Sequence, residues 1–164
     1  MSKLENLENK IFDLDRLRAR INVWRFQGKK IVFTNGCFDI IHLGHIDYLA
    51  KAADLGDKLI IGLNSDKSTS SIKGPSRPIT DERSRSLVLA SMSFVDAVVL
   101  FDEETPLELI KLVMPDVLVK GADYTIDQIV GSDVVIQNGG RVQTLDYIPG
   151  YSTTLIEQKI KALH

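Results

Sequence analysis

The sequence predicts an α/β fold, an open, doubly wound, parallel five-stranded sheet, and three observations carry that prediction. Short β-rich runs alternate with helical patterns along most of the chain. The runs are apolar on both faces rather than strictly alternating, as expected of strands covered by helices on two sides. The residues with chemical rather than packing character collect at the carboxyl ends of the runs, where open α/β sheets take their ligands.

The elements follow in order. Residues 1–28 precede the first strand; Leu4, Leu7, Ile11, Leu14, Leu17 and Ile21 recur at helical spacing, which predicts an N-terminal helical extension of one or two helices packed on the domain or on a partner. The domain proper is expected over 29–164. Its strands are expected at Ile31–Thr34, ending on a tight Asn35-Gly36 turn, then at Leu59–Leu63, Ala97–Phe101, Asp116–Val119 and Arg141–Leu145. Between the first two, Ile46, Leu49, Ala50 and Ala53 mark one face of a helix. Thr80 is the expected N-cap of the next helix, with Asp81 and Glu82 in its first turn. Thr105, Pro106 and Glu108 read as N-cap, N1 and N3 of a capping-box helix that stops before Pro115. Asn138-Gly139-Gly140 reads as a helix C-terminus. Ile156, Ile160 and Leu163 give the last helix an expected buried stripe. Strand–helix alternation of this kind implies parallel pairing with right-handed crossovers.

Composition narrows the classes of function. The chain has 164 residues, 44% of them hydrophobic and 26% charged, which is globular rather than disordered composition. Lys plus Arg is 20 and Asp plus Glu is 22, a net charge of -2, so the bulk positive field of a non-specific nucleic-acid binder is missing. One cysteine, Cys37, excludes an intramolecular disulfide and argues against a cysteine zinc site. No apolar run reaches membrane-spanning length, and the first ten residues are polar and acidic, unlike a secretory signal. A cytoplasmic protein with no nucleic-acid or membrane partner is expected.

The informative stretch runs from Thr34 through Asn35, Gly36, Cys37, Phe38 and Asp39 to His42-Leu43-Gly44-His45. It closes the first strand and opens the first helix. Two imidazoles three residues apart lie on one side of a helix start. Gly44 between them has no Cβ and would let a ligand approach the backbone. The first turn offers free N–H groups and the positive end of the helix dipole, an anion site. Packing accounts for one histidine here more easily than for two with a glycine between them. A zinc site is the other chemical reading, but no further ligand stands nearby in sequence.

His42-Leu43-Gly44-His45 resembles the H-x-G-H signature of the nucleotidyltransferase superfamily, and the stretch from Thr34 resembles its cytidylyltransferase-like branch. Gly150-Tyr151-Ser152-Thr153-Thr154 is similar to that family's second signature, a triphosphate-binding turn at the start of the last helix. Within the branch, three blocks resemble the adenylyltransferases that make ADP-activated heptose for lipopolysaccharide. They are Asn64-Ser65-Asp66 with Lys73-Gly74 and Arg77-Pro78, Val119 to Tyr124, and the closing Gly150–Thr154 turn. In that family the domain is often fused behind a sugar kinase; here a stand-alone domain is expected. Two departures stand out. Tyr147 lies near the place where glycerol-3-phosphate cytidylyltransferases carry an arginine, which weakens a CTP reading, and Ala122 replaces a glycine.

The resemblance implies a Rossmann-like nucleotidyltransferase fold and attack by an acceptor phosphate on the α-phosphate of ATP, with Mg²⁺ on the phosphates and no enzyme nucleophile. It implies catalytic roles for His42, His45 and Lys73. It implies nucleotide contacts from Asn35, Gly36, Cys37, Phe38, Gly44, Arg85, Lys120, Asp123, Tyr124, Gly150, Ser152, Thr153 and Thr154. Arg77 and Arg83 are alternatives to Arg85; Asp39 either shapes the turn or touches ligand, and Asp66 either trims a strand end or touches sugar. No protein ligand to the metal is assigned. The acceptor implied is a heptose 1-phosphate, the alternative being CTP with glycerol 3-phosphate or another small alcohol phosphate, and a homodimer is expected.

Overall fold

The structure, a computed structural model, describes residues 1–163; His164, the last residue of the expected 29–164 domain, lies outside them. All strand pairs are parallel. The sheet has six strands, in the order β1 (Ile11–Phe12), β4 (Ala97–Phe101), β3 (Lys58–Asn64), β2 (Ile31–Gly36), β5 (Val117–Gly121) and β6 (Arg141–Leu145). The expected α/β doubly wound parallel sheet is therefore found with one strand more than the five expected. The extra strand, β1, lies inside the segment read as purely helical. That segment does form two helices, α1 (Lys3–Glu8) and α2 (Leu14–Phe26), but between them Ile11 and Phe12 pair with Val98 and Val99 at the sheet edge.

The chain leaves β2 for β3 and β4 on one side, then crosses to β5 and β6 on the other, so β2 sits at the topological switch point. Alternate residues of the central strands feed two cores. Phe33, Ile60, Val99 and Leu118 pack with Leu17, Ile21 and Trp24 of α2 and with Ile110 of α6 (Leu107–Val113). Val32, Ile61, Val98 and Val119 pack with Tyr48 and Leu49 of α3 (Leu43–Ala53) and Leu89 of α5 (Glu82–Ala90). Burial of Leu17, Ile21 and Trp24 in the same core as the central strands makes residues 1–28 part of the sheet's packing rather than an appendage.

Several boundaries differ from expectation for local reasons. Asn35 and Gly36 continue the β2 ladder opposite Gly62 and Leu63 instead of turning. The reversal falls in residues 37–42, where Phe38 and Ile40 take φ of 46° and 53°, a left-handed conformation uncommon for such side chains. Asp81, not Thr80, caps α5, its carboxylate accepting from the Ser84 N–H at 2.8 Å. α6 begins a residue later than expected, with Pro106 as N-cap and no capping box, and ends at Met114 in the left-handed conformation before Pro115. Gly139, at φ 84°, follows α7 (Ser132–Gln137) as expected. The last helix, α8 (Thr153–Lys161), buries none of its residues fully: Ile156 is half-buried, Ile160 is 52% exposed and Leu163, just past the helix, is 80% exposed, so the expected buried stripe is corrected to a largely open one. No helix among the described residues is long and apolar enough to cross a membrane.

Candidate active site

A cleft of about 780 Å³ opens at the carboxyl edge of the sheet over the end of β2. Its floor is Asn35, Gly36, Cys37 and Phe38, and His42 and His45 stand beside it at the start of α3. His42 is the N-cap residue of that helix, in extended conformation, and makes no side-chain cap bond. The two imidazoles stack, 3.9 Å between centroids and 25° between planes, and the Phe38 ring meets His45 edge-on at 5.5 Å. Each Nδ1 is buried without a hydrogen-bond partner among the described residues, as is Oδ1 of Asn35. Buried polar atoms in folded proteins are nearly all bonded, so three orphans around one cleft mark polar capacity reserved for a ligand.

Gly44 has a different use from the one expected. A Cβ there would lie 3.0 Å from the His42 ring and 3.3 Å from Cβ of Tyr151. The missing side chain makes room for the imidazole and lets the C-terminal turn press against α3. That turn is tied down again where the Thr153 hydroxyl donates to the Asp39 carbonyl at 3.1 Å. Gly150, at φ 86°, permits the reversal, and the Ser152 hydroxyl oxygen caps α8 by accepting from the Leu155 N–H at 3.1 Å. The Ser152 hydroxyl proton and the N–H groups of Thr153 and Thr154 stay free of the cap, at the positive end of the α8 dipole. Two turns more than a hundred residues apart thus share one cleft.

Burial decides the charge state of the imidazoles. Burial, then repulsion from His42 and Lys73, pushes the His45 pKa down to about 4 against the pull of Asp39. Burial also lowers that of His42. Both rings are neutral at pH 7 in the free protein, each with one N–H to donate. A stability prediction follows. An unfolded histidine takes up its proton at about 6.5. Between that value and about 4 the unfolded state binds a proton that the folded His45 refuses, so stability declines as pH falls through this window. Relative to a His45→Gln variant, the wild type should lose on the order of 1–2 kcal/mol between pH 7.5 and pH 5, measured by urea unfolding. Parallel curves for the two proteins would refute the neutral, buried ring.

The other expected residues divide. Lys73 closes α4 (Asp66–Lys73) and faces the cleft. Lys120, Asp123 and Tyr124 line it from the end of β5, with Lys120 Nζ 5.6 Å from the Tyr124 ring centroid. Burial lowers the Lys120 pKa, against the opposing pull of Asp123 and Cys37. Arg85 does not reach the cleft. Its side chain is 1% exposed and donates to the carbonyls of Thr80, Cys37 and Asn64 and to the Asp66 carboxylate at 2.7 Å. It pins the ends of β2 and β3 together, and Asp66 is its partner. Arg83 is 80% exposed on the surface, and Gly44 and Gly150 shape the cleft from behind it.

Asp39 is resolved as a shaper of the turn. Its side chain is fully buried and accepts from Arg77 Nε at 2.8 Å, from the N–H groups of Ile79 and Thr80, and from the Thr80 hydroxyl. Burial alone would raise its pKa; the two backbone N–H groups, with Thr80 and Arg77, more than offset that and hold it at about 2.

Sequence reasoning missed Glu104, Thr105 and Pro106, which wall the cleft after β4. The rule that picks carboxyl ends of strands applies to them equally. It also treated Tyr147 only as a missing arginine. The Tyr147 ring stacks on Tyr48 at 5.5 Å, and its hydroxyl fills the space a Cβ at Gly121 would occupy, 2.0 Å away. Among the described residues no three His, Cys, Asp or Glu side chains converge as a metal site.

A parallel sheet that brings a paired-imidazole turn and a helix N-terminus together at its switch point is the architecture of nucleotidyltransferases. The cytidylyltransferase-like family model matches residues 33–159, and the chain belongs to that family. A Methylobacillus flagellatus protein named Bifunctional protein HldE is 53% identical over 152 residues, which are 93% of this chain and 31% of that protein. The chain thus spans about a third of the length of the curated relatives it matches. The crystal structure of a lipopolysaccharide core biosynthesis protein from Thermoplasma volcanium superposes with a TM-score of 0.61 at 32% identity, covering 74% of this chain and 98% of that one. A pantoate-beta-alanine ligase from Francisella tularensis shares the fold, with a TM-score of 0.60 at 15% identity over 92% of this chain and 76% of that one.

Proposed function

We propose that the chain is an adenylyltransferase that moves AMP from ATP to a heptose 1-phosphate, giving ADP-heptose and pyrophosphate. The single observation that carries the reading is the shared cleft: unpartnered imidazoles of His42 and His45 on one wall, the free N-terminus of α8 on the other. An oxygen of the acceptor phosphate attacks the α-phosphorus, and the bond from that phosphorus to the bridging oxygen of the β-phosphate breaks. The acceptor is already an anion at neutral pH, so no enzyme nucleophile is needed and Cys37 has none of that work. Catalysis is then positioning and charge stabilisation. The imidazole N–H groups donate to oxygens on the transferring phosphorus. Ser152, Thr153 and Thr154 hold the β- and γ-phosphates, and Lys73 supplies a positive charge from the facing wall. In this reading Mg²⁺ arrives on the nucleotide and is held mainly by its phosphate oxygens.

Support for the heptose acceptor comes from the resemblance of the Asn64–Pro78 and Val119–Tyr124 blocks and from the Thermoplasma volcanium relative's part in lipopolysaccharide core biosynthesis. Support for ATP comes from Tyr147 in place of an arginine. A homodimer and a cytoplasmic setting belong to the same reading. The test is pyrophosphate release from ATP and CTP, each against a heptose 1-phosphate and glycerol 3-phosphate, with the product identified. Release is expected from ATP with the heptose phosphate; turnover with CTP alone would replace this reading by the cytidylyltransferase one.

Gly44→Ala separates site geometry from stability. Alanine favours a helix by up to about 1 kcal/mol over glycine, and moving the neighbours that its methyl meets costs stability in the opposite direction, so the melting temperature should change by only a few degrees. The added methyl displaces the His42 ring or Tyr151, and turnover should drop by about tenfold or more, since small misplacements of reacting groups are costly. Native turnover in this variant would mean that the observed ring position is not the working one.

A further inference from the structure

α8 carries the triphosphate turn, yet it puts no side chain fully into the core. None of its nine residues is buried. Its described hydrogen bonds to the rest of the chain are two, and both converge on Asp39. The Thr153 hydroxyl donates to the Asp39 carbonyl at 3.1 Å, and Glu157, one turn further on, takes an N–H of Arg77, whose Nε donates to the Asp39 carboxylate at 2.8 Å. Arg77 is 14% exposed and Asp39 0%, while Glu157 keeps 30% of its side chain in solvent. The Arg77 carbonyl is in turn bonded by the hydroxyl of Ser70, three residues before Lys73 on α4. One residue therefore joins the signature turn, the lysine-bearing helix and the triphosphate helix.

We infer that Arg77 is a positioning residue, with Glu157 as its anchor on α8, that sets the α8 N-terminus against the His42–His45 pair and Lys73. The inference rests on the reading that this N-terminus holds the triphosphate. Two donors of a planar guanidinium aimed at two carboxylates fix its plane, which a lysine ammonium does not reproduce. Nη2 is buried without a partner among the described residues, so the guanidinium is not placed there by complete hydrogen bonding. The Glu157 end of the bridge is partly solvated, where an ion pair adds little to stability. Its effect falls instead on alignment across the cleft, where shifts below an ångström matter.

The experiment is calorimetric titration of the full chain with a non-hydrolysable ATP analogue, alongside melting curves, for the wild type, Glu157→Gln, Arg77→Lys and the double variant. Glu157→Gln is expected to weaken the analogue about tenfold while its melting temperature stays within about 2 °C of the wild type. The double variant should bind no more weakly than Arg77→Lys alone, because both changes break one bridge. Analogue affinity within twofold of wild type in Glu157→Gln overturns the inference, as does a double variant whose loss is the product of the single losses. No binding by the wild type overturns the reading of the cleft and this inference with it.

Discussion

Replacing His45 by alanine should lower turnover by at least ~10²–10³-fold while ATP still binds. The imidazole is half enclosed between His42 and Phe38 and makes no hydrogen bond to the described protein, so its N–H is available to the transferring phosphate. Charge builds on that phosphate only as the reaction proceeds, which puts the loss in the chemical step rather than in binding. The β- and γ-phosphates rest on the α8 N-terminus in this account, and alanine at 45 leaves that end untouched. Single-turnover kinetics with ATP in excess, set beside the dissociation constant of a non-hydrolysable analogue, separates the two effects. Near-native turnover would remove His45 from the mechanism. A loss in affinity with the saturated rate unchanged would assign it to ground-state binding.

The second large effect is on folding. Asp39→Ala should cost about 3–5 kcal/mol, the usual loss when one partner of a buried ion pair is removed. The carboxylate is fully buried and is the acceptor for Arg77 Nε, two backbone N–H groups and the Thr80 hydroxyl. Alanine leaves all four donors unmet at once and loosens the loop that carries Arg77. Urea unfolding at pH 7 reads the loss directly. A change below about 1 kcal/mol would show that water or Glu157 takes over these donors, and that Asp39 does not organise the turn.

The sequence displays the site better than it displays what holds the site together. Glycine and histidine after the first strand stand out because packing does not call for them, whereas most of the sixteen expected site residues rest on the family resemblance, and thirteen of the sixteen line one cleft. Arg85 is expected in the cleft on the family resemblance alone, and only the tertiary approach of the β2 and β3 ends supplies the carbonyls that bury it elsewhere. Thr80 looked like a helix cap because its hydroxyl suits one, whereas Asp39, forty-one residues earlier, claims both its hydroxyl and its N–H. β1 is two residues long and sits within a stripe of helical spacing, so no period-2 signal exists to reveal it. The stripe on α8 is amphipathic as read, but amphipathicity states that a face is apolar, not that this chain covers it.

The central claim is that the paired-imidazole turn and the N-terminus of α8 grip one nucleotide triphosphate. A crystal structure of the chain with a non-hydrolysable ATP analogue measures this most directly. Oxygens of the α-phosphate should lie within hydrogen-bond distance of His42 and His45, and the β- and γ-phosphates on Ser152, Thr153 and Thr154. A triphosphate seated away from the imidazoles, or touching them while leaving α8 bare, would contradict it.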